Sequence, residues 1–159
     1  MSVKAALLAA IRDELKARID AIKGRAFVVV QDAQGNQLLP KEGACPFATV
    51  ADMGLVIEWS PGETALATYR VRVRVHVQDL RTAETPVLGH AASGSVGAAQ
   101  LQGEITAVLE GNLLASRLSA ISSPLELAQV ESEPPVDVIA DESWLAVIGD
   151  VIVRYERTE

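Results

Sequence analysis

The sequence predicts an α+β fold, a single domain over residues 1–159 with a mostly antiparallel sheet, a long β-hairpin and two main helices packed on it. Three observations carry this expectation. Two segments place their apolar residues at steps of three and four; one run, TYRVRVRVHVQD at residues 68–79, alternates apolar and polar positions; and further apolar runs are separated by turn residues. A helix with one apolar stripe needs a surface to cover, and a sheet with one apolar face needs cover, so the two pack together.

In residues 4–23, Leu8, Ile11, Leu15, Ile19 and Ile22 form the apolar stripe of the first helix, and Gly24 follows as its expected stop. The opposite face carries Arg12, Asp13, Lys16, Arg18 and Asp20, a solvated face. AFVVVQ at residues 26–31 is rich in β-branched residues and predicts a strand, and Gln34, Gly35 and Asn36 predict a turn. Pro40 and Pro46 bracket an irregular segment. LVIEW at residues 55–59 reads as a strand, reversed by Ser60, Pro61 and Gly62 into TYRVRVRVHVQD, so residues 55–78 form the long hairpin. A second helix begins near Ala98, capped by Ser93 or Ser95, with Leu101, Ile105, Val108 and Leu109 on one face and a stop at Gly111 and Asn112. Residues 125–130 alternate weakly before Pro134 and Pro135, and residues 144–155 make the closing strand.

Composition narrows the function. At 159 residues the chain is long enough to bury a core without a metal or disulfide staple. Its 49% hydrophobic content is aliphatic, with 4% aromatic, which disfavours an aromatic-lined ligand pocket. A formal net charge of -7 argues against general nucleic-acid affinity. The single cysteine, Cys45, fits a reducing compartment, and the apolar run near the start is broken by Arg12, Asp13 and Glu14, too short for a membrane span or secretory signal. The expectation is a soluble intracellular chain with no membrane partner.

No chemistry assembles from the titratable residues. His76 and His90 lack metal-like spacing with Cys45 or a carboxylate, so no metal is expected. Gly94, Ser95, Val96 and Gly97 precede a helix but lack the lysine of a nucleotide loop, and they fail the nucleophile-elbow pattern because residue 93 is serine. Glu131, Glu133, Asp137, Asp141 and Glu142 are spaced irregularly around two prolines, as in a solvated loop. The chain is therefore expected to be no enzyme and to carry no cofactor.

What stands out is a row of charge. A strand's two-residue period puts Arg70, Arg72, Arg74 and His76 on one face and Tyr69, Val71, Val73, Val75 and Val77 on the other, which belongs to the core. The stretch spans roughly 30 Å, and part of it is expected to project beyond the domain. Either the arginines are solvated and pair with acidic neighbours such as Glu58, or they meet another subunit or a central channel; the guanidinium fork suits carboxylate and phosphate alike.

Four segments, IRDELKARI at residues 11–19, TYRVRVRVHVQD, AAQLQGEITAVLEG at 98–111 and ESWLAVIGDVIVRYE at 142–156, together resemble the tail terminator proteins of long-tailed bacteriophages, a group that includes tail-completion and minor tail proteins. Residues 40–53 match no part of that pattern. The resemblance implies a structural virion protein of the tail and neck, assembled in the host cytoplasm. Such a protein forms a homo-oligomer, a hexameric ring, which caps the tail tube, and the sheath where the tail contracts, and joins it to the head-side connector. DNA passes through its lumen. It also implies that the hairpin, with Arg70, Arg72, Arg74 and His76, faces a neighbouring subunit or the lumen. The alternatives are a head-completion, connector or other minor tail protein, or a binding module or enzyme unrelated to phage.

Overall fold

A computed structural model describes residues 3–31, 37–38, 46–62, 64–78, 89–90, 95–110, 125–141 and 144–158. It shows the expected α+β domain. Strands β1 (Ala26–Val28), β4 (Phe47–Trp59), β5 (Ala65–Gln78), β8 (Glu126–Ser132), β9 (Val136–Asp141) and β10 (Trp144–Thr158) build the main sheet in the order β1-β4-β5-β10-β8. β9 also pairs with β10, so β8 and β9 share one flank of the closing strand. Every pairing is antiparallel except β1 with β4. Two small ladders lie apart from it, β2 (Val30–Gln31) with β3 (Gln37–Leu38) and β6 (Gly89–His90) with β7 (Ser95–Val96).

Helices α1 (Val3–Arg18) and α2 (Ala98–Glu110) cover one face. Leu7, Ile11 and Leu15 from the first, Ile22 from the turn that follows it, and Leu101, Ile105 and Leu109 from the second pack on Val50, Val71, Val73, Val75, Val151 and Val153. Side chains three and four apart on a helix meet a sheet whose alternate side chains point the same way, so both sequence periods converge on one layer.

Several boundaries differ from expectation. The first helix ends at Arg18; Ile19 is extended, Asp20–Ile22 forms a 3-10 turn, and Lys23 and Gly24 are both left-handed. Lys23 therefore caps the 3-10 turn, its N–H donating to the Asp20 carbonyl, and Gly24 follows that turn and not the α-helix, while Ile19 and Ile22 stay buried because the turn keeps following the core. Leu7 takes the fully buried place and Leu8 is only partly covered. AFVVVQ splits at Val29 into strands of two different sheets. Ser95 pairs across to His90 in the ladder, and helix α2 starts after Gly97, whose carbonyl accepts from Leu101 N. The expected cap at Ser93 and the stop at Gly111 and Asn112 lie outside the described residues, as do the turn at Gln34, Gly35 and Asn36 and Glu142. Glu131 sits in β8 and Asp137 and Asp141 in β9, so these carboxylates belong to strands and not to an irregular loop.

The hairpin is longer than the sequence indicated. β4 runs 13 residues and begins at Phe47; a bulge between Asp52 and Gly54 shifts its register against β5. Gly54 occupies that bulge with φ 115°, a conformation that a side chain disfavours, and its N–H donates to Asp52 Oδ1 at 2.9 Å. Helix α1 reaches the hairpin here, where Lys4 Nζ lies 3.0 Å from Asp52. β5 does not project: β4 and β10 flank it along its length, making it the central strand.

Candidate interaction face of the sheet

The alternation of TYRVRVRVHVQD holds in three dimensions. Tyr69, Val71, Val73, Val75 and Val77 are buried against the helices, and Arg70, Arg72, Arg74 and His76 occupy the opposite face. Their environments diverge. Arg74 forks onto Asp150 of β10, its register partner, with Nε to Oδ1 at 2.7 Å and Nη2 to Oδ2 at 2.9 Å. This bidentate geometry matches the planar guanidinium to the carboxylate, and the hydrogen bond raises the affinity of Arg74 for its proton. The expected partner Glu58 is instead at the far end of the hairpin, exposed and opposite Leu66.

His76 is removed from the surface. It is 8% exposed, stacks on Phe47 at 4.3 Å between ring centroids, and places Nε2 3.3 Å from Thr49 Oγ1. Burial, aided by the charges of Arg74 and Arg72 and opposed by Asp150, pushes its pKa down to about 4. At neutral pH it is an uncharged packing residue. Phe27 adds an edge contact to Phe47, extending a small aromatic cluster towards β1.

Arg70 and Arg72 are half-buried, and their Nε atoms are shielded from solvent with no hydrogen-bond partner among the described residues. Arg154 of β10 stands directly opposite Arg70. Among the described residues none of these three makes an ion pair. Sequence reasoning missed Arg154 and Asp150, because their relevance depends on the register between β5 and β10.

It also missed an apolar edge. β1 pairs with β4 only at Ala48, Thr49 and Val50, which leaves residues 51–59 of β4 without a neighbour on that side among the described residues. Along this edge Leu55, Val56 and Ile57 are exposed and Trp59 is 75% exposed. The signal was present in LVIEW, whose apolar residues run on both faces of the strand, more than one core-facing side can use.

Among the described residues no group of three or more His, Cys, Asp or Glu side chains is placed to hold a metal ion, and Cys45 lies outside them. No described helix is long and apolar enough to cross a membrane. No protein-family model matches the chain, and no curated protein matches it.

Proposed function

We propose that this chain is a structural virion protein, a ring-forming tail terminator that caps the tail tube and joins it to the head-side connector. The observation that carries the reading is the outer edge of β4, where among the described residues no strand pairs with residues 51–59 on that side and Leu55, Val56, Ile57 and Trp59 are exposed. Natural proteins blunt such edges with charge, proline or cover unless the edge is used for assembly. The resemblance of the two helices, the arginine strand and the closing strand to tail terminators supplies the kind of assembly. A chain whose role is assembly needs surfaces and no catalytic constellation, and its contacts in a closed ring are heterologous, one patch meeting a different patch of the next copy.

Electron microscopy of the purified protein tests the reading. Rings are the expected result, and Ile57→Lys is expected to abolish them while circular dichroism stays unchanged. A wild-type protein that remains monomeric at every concentration tested overturns it.

A further inference from the structure

Resting on the ring reading, we infer that Arg70, Arg72 and Arg154 form a carboxylate-binding face, and that its occupant is the acidic edge strand β8 of a second copy of this chain. The register places Arg154 opposite Arg70, with Arg72 two residues along on the same face of β5. Like charges directly opposite one another repel, and a guanidinium whose Nε is shielded from water without a partner is held at a cost. Two residues further along the same row, Arg74 is held bidentately by a carboxylate of its own chain, so the strand's geometry suits such contacts, and among the described residues the trio has no carboxylate partner.

The chain carries that anion elsewhere. Glu126 and Glu131 of β8, and Glu133 just beyond it, are exposed, and among the described residues none makes an ion pair. Glu131 shares a cross-strand row with Arg72, but Ile152 of β10 stands between them, which sets their backbones two strand spacings, about 10 Å, apart. Within one chain the two charges are kept separate; between chains they are complementary. A formal net charge of -7 makes carboxylate the abundant counter-group on any copy. Glu126 and Glu131 share the sheet face of Arg70 and Arg72 but sit two strands away on β8, so a contact between them and the arginines of a second copy joins two different patches, the kind of contact a closed ring repeats.

The test compares wild type with Arg70→Glu/Arg72→Glu, with Glu126→Lys/Glu131→Lys, and with the quadruple variant, by sedimentation velocity beside circular dichroism. Each double variant is expected to weaken self-association by roughly tenfold or more, and the quadruple variant to recover it. If a charge-reversed double variant does not fold, Arg70→Gln/Arg72→Gln is expected to show the same weakening. Rings in which the double variants assemble as wild type does overturn this interface and leave the ring reading standing. Weakened doubles with no recovery in the quadruple variant overturn the pairing of these two surfaces. A wild type that never associates overturns the ring reading and this inference with it. Loss of binding to a short DNA duplex by Arg70→Glu/Arg72→Glu, with assembly intact, assigns the face to phosphate and also overturns it.

Discussion

Tyr155 shows what a single side chain contributes at the residue scale. Its ring fills the core between Tyr69 and Leu127, but its hydroxyl is buried with no hydrogen-bond partner among the described residues, and burial pushes its pKa well above the ordinary tyrosine value. Removing an unsatisfied buried polar group removes its desolvation cost, so Tyr155→Phe is expected to stabilise the fold by about 1 kcal/mol in urea denaturation. His76 gives a pH dependence. Its folded pKa, about 4, lies below the ordinary 6.5, so between these values the unfolded chain binds a proton that the folded chain refuses. Its contribution is complete above about pH 6.5 and is lost as the pH falls towards 4, by up to roughly 3 kcal/mol. Urea titrations at neutral and acid pH are expected to show that slope in the wild type and a smaller one in His76→Gln. The periodicity of TYRVRVRVHVQD placed His76 on the arginine face correctly; it gave no warning of the burial, because the stacking ring, Phe47, comes from a different strand.

At the scale of elements, the junction of helix α2 with strand β10 is decided by one glycine. Gln102 is buried, and its Nε2 donates to the carbonyls of Glu133 at 2.6 Å and Asp150 at 3.0 Å, tying the helix to the end of β8 and to β10. A Cβ on Gly149 would stand 2.7 Å from Gln102 Cδ, a side chain anchored at its tip by both bonds. Gly149→Ala is therefore expected to cost roughly 1–3 kcal/mol. The penalty is expected to shrink when Gln102→Ala is already present, a non-additivity that a double-mutant cycle measures. Both elements were legible in sequence, since Leu101, Ile105 and Leu109 repeat at helical steps and Val151, Val153 and Tyr155 at strand steps. The hydrogen bonds between them were not, because a glutamine inside a helix reads as a surface residue until the packing angle is known. The front half of β4 was missed for a related reason: FATVADMG mixes small, polar and bulge residues, and its strand character comes from pairing with β5.

For the whole molecule, the sequence determined the α+β class, the apolar stripes of the helices and the two faces of β5, because each is a local period imposed by backbone geometry. The tertiary structure alone decided the rest. It made β5 the central strand, gave Arg74 to Asp150, set Arg154 against Arg70, and left the outer half of β4 without a neighbour on its outer side among the described residues. Each of these is a matter of strand neighbour and register. Asp150 is 76 residues from Arg74, and no short-range pattern records which of several alternating strands will lie beside another, or at what offset. That choice is made by burying both helices and the valine face together, a condition on the whole chain and not on any segment of it.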